Sequence, residues 1–326
     1  MRGGFRAAAL SLTTFLAALS CANPTCAASS AERLVLVDIQ VLQSPSGRIV
    51  PGLKPEDFEI LDSGRRQAVE VFDAEMAPLD LVLVVDTTGW WLWRGVFSRS
   101  LLALVGELRP VDRLAVVSMA GKVVSVLAPL TNDRLRVRQA IAAALRERAG
   151  RKKGGNPLLY DALRQAAVLF GGQPPAARRR IALVLTHNRA DHSAPKMETT
   201  LRALHAAHVT VAGVVTRDVS PRLSPYPPII ISEGPPLPSV NILPESGTLD
   251  PITEETGGEI LRYKLSETPD WFEVVGRLRR RYLAGFHAPP GVQSGEVRDI
   301  LVRLADGARR ACPDCVVRAR SRYVLP

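Results

Sequence analysis

The chain has 326 residues, and 46% of them are hydrophobic, which is enough for a packed core and excludes a chain that is disordered throughout. Its formal net charge is +10 at pH 7, with basic runs at residues 151–153, 178–180 and 279–281. No stacking aromatic residues alternate with these runs, so we expect no nucleic-acid partner. We interpret the runs as solvated faces, and attraction to anionic envelope surfaces is their functional alternative.

The first 28 residues have the pattern of a secretory signal peptide. Arg2 and Arg6 precede the apolar stretch 7–19, and small residues follow at 25–28. The apolar stretch is too short to span a bilayer as a stable helix, so we expect an exported protein, periplasmic or secreted, with no transmembrane segment in the mature chain. Residues 18–21 loosely resemble a lipobox, and a lipoprotein anchored through Cys21 is the alternative.

A small β module follows the signal peptide, over residues 29–77. Branched apolar residues occupy every second position over 35–41, which is the period-two pattern of a strand. Two further short strands, at 58–61 and 69–72, flank a turn at 62–64.

The hydrophobic period changes after the β module, where strands begin to alternate with helices. We predict strands at 81–85, 114–118, 123–127, 181–185 and 209–215, and helices after the first of these strands, over about 133–148, from near 158 and over about 197–207. Strands separated by helices imply an α/β domain with a Rossmann-like, mostly parallel sheet and helices on both faces.

Prolines are dense after this domain's strands, and we interpret residues 220–248 as an irregular excursion. Regular structure resumes at Leu249. The last segment predicts strands at 297–304 and 316–324 with a turn at 306–307. We expect these strands to pair with the N-terminal β module.

One aliphatic run in the central domain ends at an acidic residue. Residues 81–85 are Leu-Val-Leu-Val-Val, and Asp86 follows them directly. A buried parallel strand has such an unbroken aliphatic run, and ligands of open α/β sheets bind just past the carboxyl ends of these strands. The sequence therefore places Asp86 where a ligand would bind.

Several short motifs occur together along the chain. They are VPGLKPEDF at 50–58, DTTGW at 86–90, YDAL at 160–163, TGG at 256–258 and VRAR at 317–320. With them the chain resembles the bacterial exported proteins related to von Willebrand factor A-type (VWA) domains. The resemblance implies a Rossmann-like VWA domain over 78–286, a β module built from 29–77 and 287–326, and a role in binding rather than catalysis.

In that family a metal-ion-dependent adhesion site draws on three loops, and the first loop is altered here. The family has Asp-x-Ser-x-Ser in this loop. This chain keeps Asp86, and Thr88 supplies a hydroxyl, but Trp90 replaces the second hydroxyl. An indole cannot ligate a hard cation, which takes oxygen ligands.

The other two loops of the family's metal site are altered as well. The threonine of the second loop becomes Asn156 when aligned forward from the preceding glycines, or Pro157 when aligned back from the following helix, and His187 stands where the third loop has an acid. Magnesium requires near-octahedral oxygen coordination. We therefore predict that the metal site is degenerate and vestigial, and we expect no cofactor. Weak Mg²⁺ or Mn²⁺ binding through Asp86 and Thr88 is the alternative.

Three tryptophans crowd the first of these loops. Trp93 falls on the apolar stripe of the following helix, whereas Trp91 lies off the stripe and Trp90 lies at its exposed tip. Tryptophan is enriched in binding hot spots because it buries a large area and keeps a polar group. We predict that Trp90 and Trp91 contact a protein partner, with Asn156 and His187 in the neighbouring loops. A hydrophobic plug in place of the metal is the alternative.

Two histidines offer a second kind of metal site. His205 and His208 have the i, i+3 spacing of one helical face, which suits two ligands of a zinc-like ion. They also stand at the end of a predicted helix, where a cationic side chain favours the helix dipole.

Cys312 and Cys315 enclose Pro313 and Asp314, which suit a type I turn. Such a turn brings its first and fourth Cα atoms within disulfide range, and an oxidising compartment favours the bond. We predict a structural disulfide, with two unbonded thiols as the alternative, and no redox catalysis because no thioredoxin-like strand and helix follow.

Enzyme signatures are absent from the sequence: it has no Gly-x-Ser-x-Gly, no His-Glu-x-x-His and no phosphate-binding glycine loop with lysine. We therefore expect a non-enzymatic extracytoplasmic protein that binds a protein partner, as an adhesion protein or scaffold, without a metal. The alternatives are metal-dependent adhesion through Asp86 and Thr88, and an exported enzyme without a recognised motif.

Overall fold

The computed structural model describes residues 1, 34–74, 76–87, 100–120, 123–146, 158–171, 178–186, 188, 196–217, 248–264 and 267–325. Strands β1 to β15 span, in chain order, Leu34–Gln43, Arg48–Ile49, Phe58–Asp62, Arg65–Gln67, Val71–Ala74, Leu79–Asp86, Arg113–Ala120, Val123–Thr131, Arg179–Thr186, Thr210–Arg217, Ile260–Lys264, Tyr282–His287, Val297–Leu304, Cys315–Arg318 and Arg322–Val324. Helices α1 to α6 span Arg134–Arg146, Leu159–Phe170, Met197–Ala206, Leu249–Glu255, Trp271–Arg279 and Asp306–Ala311. Short 3₁₀ helices span Pro55–Asp57 and Leu101–Glu107.

A six-stranded sheet forms the centre of the α/β domain, in the order β11-β10-β9-β6-β7-β8. Numbered by appearance within the sheet, this is the 3-2-1-4-5-6 order of a doubly wound Rossmann fold. All neighbours are parallel except β7 and β8, which are antiparallel at one edge. The predicted Rossmann-like α/β class is confirmed.

Helices cover both faces of this sheet, so β6 is buried on both sides. Leu81 and Leu83 pack in a layer with α1, α5 and the 3₁₀ helix Leu101–Glu107, whereas Val82 and Val84 pack with α2, α3 and α4. Fully burying each such side chain contributes roughly 1.5–3 kcal/mol, which explains the unbroken aliphatic run over 81–85 of this strand.

The N- and C-terminal segments meet in two antiparallel sheets, which confirms the predicted accessory β module. One sheet has the order β14-β1-β12-β5, with β2 also on β1, and the other has the order β15-β13-β3-β4. Their facing apolar residues form a separate core that includes Val37, Phe58, Phe286 and Tyr323. Segments far apart in the sequence therefore share one core.

Strand β12 crosses the boundary that the sequence suggested between residues 286 and 287. It pairs with β1 and β5 rather than with the central sheet. The reason is its inward face, because Tyr282, Ala284 and Phe286 pack in the core of the β module.

The hairpin that begins at β3 also differs from the sequence prediction. Ser63 and Gly64 both have positive φ, 46° and 82°, as in a tight two-residue turn, so the chain returns at once as β4. The predicted partner strand at 69–72 lies later, as β5, and pairs with β12. The predicted turn at 306–307 lies within the short helix α6.

The interpretation of the basic runs at 178–180 and 279–281 as solvated faces is corrected by the structure, because three of their six arginines are buried. Arg179, Arg180 and Arg281 are at most 2% exposed. Arg179 and Arg281 donate hydrogen bonds to the carboxylate of Asp38 on β1, at 2.8 Å and 2.5 Å, and thereby join the central domain to the β module. Residues 151–153 lie outside the described residues.

The TGG motif at 256–258 has a structural role at the same joint. A Cβ on Gly258 would lie 1.7 Å from the carbonyl oxygen of Val211. Gly257 has a φ of +73°, and a Cβ there would lie 2.4 Å from the backbone of Ala319. The glycines let β10 and the C-terminal segment approach the end of α4.

In the part of the chain that the structure describes, no helix has both the length and the apolar character needed to cross a membrane. The predicted signal peptide at 1–28 lies outside the described residues beyond its first residue, and so does the proline-rich excursion before Thr248. The predictions for both segments stay predictions.

Candidate binding site at the carboxyl edge of the central sheet

The strands of the parallel sheet bring several loops to one edge. Strands β6, β7, β9, β10 and β11 run in the same direction, so their carboxyl ends meet there. The predicted contact loops leave from this edge, since one follows β6, one precedes α2 and one follows β9.

Several predicted site residues are not within the described part of the chain. These are Thr88, Trp90, Trp91, Asn156 and His187. Their predicted contacts with a partner, and the predicted ligand role of Thr88, stay predictions. The structure describes the residues on which their loops are anchored.

Asp86 lies at the end of β6 and is 1% exposed. The hydroxyl of Thr186, at the end of β9, donates a hydrogen bond to Asp86 Oδ2 at 2.7 Å. The next residue, Thr87, donates from its own hydroxyl to the carbonyl oxygen of Met119 on β7, at 2.8 Å. The ends of three neighbouring strands are therefore tied together by side chains.

Asn188 continues this arrangement beyond β9. Its φ of 57° is left-handed, a conformation that asparagine tolerates better than most residues. Its backbone N–H donates to the hydroxyl of Thr186 at 3.1 Å, and its side-chain oxygen accepts from the backbone N–H of Leu249 at 2.8 Å. Its side-chain amide donates to Asp250, which also pairs with Arg262.

The result is a continuous polar chain that runs from Asp86 through Thr186, Asn188 and Asp250 to Arg262. It links the end of β6 to β9, α4 and β11. The sequence reasoning missed Thr186 and Asn188 as site residues, although both stand beside His187 in the third loop of the family's metal site. The available signal was the position of a hydroxyl at the end of a second buried strand.

On the other face of the central sheet, different residues lie at the carboxyl edge. The hydroxyl of Thr216 is buried with no hydrogen-bond partner among the described residues. Thr216 lies beside Tyr263 of β11 in the strand register, and burial, followed by the charge of Asp270, raises the pKa of Tyr263. Nearby, the indole N–H of Trp271 donates to Ser100, the first described residue after the tryptophan loop.

The described residues of this edge do not fit a magnesium site. Asp86 is the one carboxylate at the end of β6, and its Oδ2 already accepts from Thr186. Magnesium requires a set of oxygen ligands in near-octahedral geometry. Across the described ranges, no three or more His, Cys, Asp or Glu side chains are grouped so that they hold a metal ion.

His205 and His208, the two histidines of the zinc alternative, lie where the central domain meets the β module. Arg320 donates to the carbonyl oxygen of His205 at 3.2 Å, and its guanidinium lies 3.4 Å from His208 Nδ1. The backbone N–H of Leu36 on β1 is also 3.4 Å from that nitrogen. Burial, followed by the charge of Arg320, lowers the pKa of His205 to about 3. A buried guanidinium beside two imidazoles opposes the binding of a further cation.

The predicted cysteine pair is joined in the structure. Cys312 and Cys315 form a disulfide with a Cα–Cα distance of 5.4 Å. The bond links the end of α6 to the start of β14, within the β module. In the sequence it lies far from the residues of the carboxyl edge, and its role is structural.

The chain is similar to several solved structures. No family model and no curated protein matches the chain. Solved structures do match. One is a von Willebrand factor type A protein from Catenulispora acidiphila, at 12% identity and a TM-score of 0.44, over 90% of this chain and 74% of that one. Another is the conserved hypothetical protein BatB from Bacteroides thetaiotaomicron, at 13% identity and a TM-score of 0.41, over 62% of this chain and 96% of that one.

A third matching structure is an aerotolerance-related membrane protein from Bacteroides fragilis, at 15% identity and a TM-score of 0.42, over 61% of this chain and 96% of that one. The strand order of the central sheet defines the class of the present chain. It is a doubly wound, Rossmann-like α/β protein with an accessory β module and a polar carboxyl edge.

Proposed function

We propose that this chain is an exported, non-enzymatic VWA-type protein that binds a protein partner through the carboxyl edge of its central sheet, without a metal ion. The observation that carries the proposal is the buried hydrogen bond from Thr186 to Asp86. It commits the acidic side chain that the family places first in its metal site to a partner within the protein itself.

The polar chain from Asp86 to Arg262 supports this function through rigidity. It cross-links the ends of strands on which the predicted contact loops are anchored. A loop held at rigid anchors loses less conformational entropy on binding, and that favours affinity. Trp90 and Trp91 are the proposed contact residues, with Asn156 and His187 beside them.

Export is part of the proposal. It rests on the signal-peptide pattern of residues 1–28, with lipid anchoring at Cys21 as its variant. The disulfide between Cys312 and Cys315 supports the same compartment, because such bonds persist in oxidising environments. Attraction to anionic envelope surfaces is a secondary proposal that rests on the net charge of +10, which is +8 without Arg2 and Arg6 of the signal peptide.

A thermal melt tests the absence of a metal requirement. The protein is stripped of metals by chelation and melted alone and with millimolar magnesium or manganese. A ligand at a hundred times its dissociation constant stabilises by about 2.7 kcal/mol, which moves the melting temperature by several degrees. We expect no shift. A shift that Asp86→Ala abolishes would support the metal-dependent alternative, in which Asp86 and Thr88 are ligands.

Partner capture tests the contact residues. The immobilised chain is exposed to an envelope extract in the presence of a chelator, and bound proteins are identified by mass spectrometry. We expect Trp91→Ala to lose a partner that the parent chain retains. The matched control is Leu301→Ala, which changes a residue 56% exposed on the β module. Equal capture by both variants would contradict the proposed contact.

A further inference from the structure

The antiparallel edge strand β8 has an unusual composition for an exposed edge. Its nine residues, VVSVLAPLT, include no charged side chain. In the described residues β8 pairs with β7 alone, and Val123 and Val126 are 57% and 40% exposed. Natural edge strands are commonly protected by charges, prolines or bulges. Here Pro129 and the register shifts, the first of which leaves Leu127 without a partner on β7, protect the last part of the strand and leave 123–126 regular.

The hydrogen-bonding direction of these residues follows from the neighbouring strand. The backbone N–H of Thr87 donates to the carbonyl oxygen of Met119 at 2.9 Å, so the backbone groups of Met119 face β6. Those of Ser118 therefore face β8, where Ser118 is opposite Ser125. By alternation, the N–H and C=O groups of Val124 and Val126 point away from β7.

The outward groups are self-complementary about Ser125. In a second antiparallel copy of β8 related by a two-fold axis at Ser125, Val124 is opposite Val126 of the other copy, and both residues present an N–H and a C=O. The two such pairs make four backbone hydrogen bonds.

The side chains match in the same register. The sequence over 124–126 is Val-Ser-Val, which is palindromic. Val126 meets Val124 of the other copy, and Ser125 meets its own equivalent. The exposed Val126 of each copy is covered by Val124 of the other, and no like charges within the strand oppose the pairing.

We propose that two copies of this chain associate through β8, in a two-fold pairing centred on Ser125, so that the two central sheets become one continuous sheet of twelve strands. The interface lies beside the carboxyl edge, because Asp86 is level with Met119 and Met119 is level with Val124, but β8 is not one of the strands that anchor the predicted contact loops. Two copies would thus display two partner-binding edges on one rigid sheet.

Helix α1 adds a salt dependence to this pairing. It packs against β7 and β8 and carries Arg134, Arg136, Arg138 and Arg146 with no acidic residue. The equivalent helices lie near each other across the two-fold axis, and their charges repel. Because salt screens this repulsion, we expect the dimer to tighten as ionic strength rises.

Cross-linking tests the register. Ser125 and its equivalent form a non-hydrogen-bonded pair in the proposed dimer, with Cα atoms about 4.5 Å apart, which is within disulfide range. Ser125→Cys is made in the full chain with Cys21→Ser and Cys26→Ser, where Cys312 and Cys315 are already joined. We expect a covalent dimer under mild oxidation. Val123→Cys, two residues away, is the matched control and is expected to stay largely monomeric.

Sedimentation velocity of the unmodified chain tests the association itself. We expect the weight-average mass to double between low and high micromolar concentration, and Val126→Lys to remain monomeric while keeping its far-ultraviolet circular dichroism. Leu301→Lys, on an exposed strand of the β module, controls for added charge and is expected to dimerise. A monomer at all concentrations, or equal cross-linking of both cysteine variants, would overturn the proposal and leave this edge to another partner or to none.

Discussion

Asp38 and Arg281 form a buried ion pair in which Arg281 Nε lies 2.5 Å from Asp38 Oδ2. The pair connects β1 with the residue before β12, and Arg179 of β9 donates to the other carboxylate oxygen at 2.8 Å. Burial raises the pKa of Asp38, but the charges of Arg281 and Arg179 outweigh that effect and hold the pKa below its ordinary value. One carboxylate thus links the central domain to the β module.

We expect Asp38→Ala to destabilise the protein strongly. Removing the carboxylate leaves two guanidinium groups buried without their anion, and breaking a buried pair in this way costs about 3–5 kcal/mol. Chemical denaturation followed by circular dichroism measures the loss. Asp299→Ala is the control, because Asp299 is 81% exposed beside Arg322. A loss at Asp38 no larger than at Asp299 would contradict the role of the joint.

Acid is expected to destabilise the protein through two buried histidines. Burial and the charge of Arg320 lower the pKa of His205 to about 3, and burial, Arg320 and Arg180 lower the pKa of His208 well below 6.5. Below pH 6.5 the unfolded chain therefore binds protons that the folded chain does not, so stability is lost as the pH falls. At pH 5 His205 accounts for about 2 kcal/mol of this loss.

Unfolding curves between pH 5 and pH 7 measure this slope. His205→Leu removes one of the two groups and leaves the other, so the slope of the free energy of unfolding against pH is expected to become smaller. The ring nitrogens of His205 have no hydrogen-bond partner among the described residues, so the substitution breaks no described bond of the side chain. An unchanged slope would show that His205 is not responsible.

Gly258→Ala is expected to destabilise the joint. Its Cβ would lie 1.7 Å from the carbonyl oxygen of Val211, and backbone cannot move aside as a flexible side chain can. Overpacking of this kind costs about 1–3 kcal/mol. Gly106→Ala is the control, because a Cβ there meets nothing within 4 Å. Thermal melts of the two variants give the comparison, and equal melting temperatures would argue against a close approach at Gly258.

Thr186→Val tests the hydrogen bond at the carboxyl edge. Valine has nearly the shape of threonine but cannot donate to Asp86, and loss of a donor to a buried group costs about 1–3 kcal/mol. Thr186→Ser keeps the hydroxyl and is expected to recover most of the loss in chemical denaturation. Failure of serine to do so would indicate that the methyl group, rather than the hydroxyl, matters at this position.

The sequence predicted the central domain well because its signals are local. The aliphatic run before Asp86 and the helical period over 133–148 reflect burial of one strand and one helix, and the structure has β6 and α1 there. Asp86 was placed at the carboxyl edge for the same reason. Cys312 and Cys315 were paired by the reach of a four-residue turn, which is also local.

The partners of charged side chains were not accessible to the same reasoning. The runs at 178–180 and 279–281 have the composition of a solvated surface, yet Arg179 and Arg281 meet at Asp38. Thr186 is 100 residues from Asp86 in the chain, and Asn188 binds Asp250 across 62 residues. No periodic pattern reports such distances.

By itself, the sequence determined the alternation of strands and helices over 114–215, the buried aliphatic faces and the strand that ends at Asp86. Each of these depends on the hydrophobic period of a single element. The tertiary structure alone decided that β12 belongs to the β module, that Asp38 receives two arginines and that Thr186 faces Asp86. These outcomes depend on which elements pack together, since a buried charge or hydroxyl takes whatever partner the fold brings within hydrogen-bonding distance.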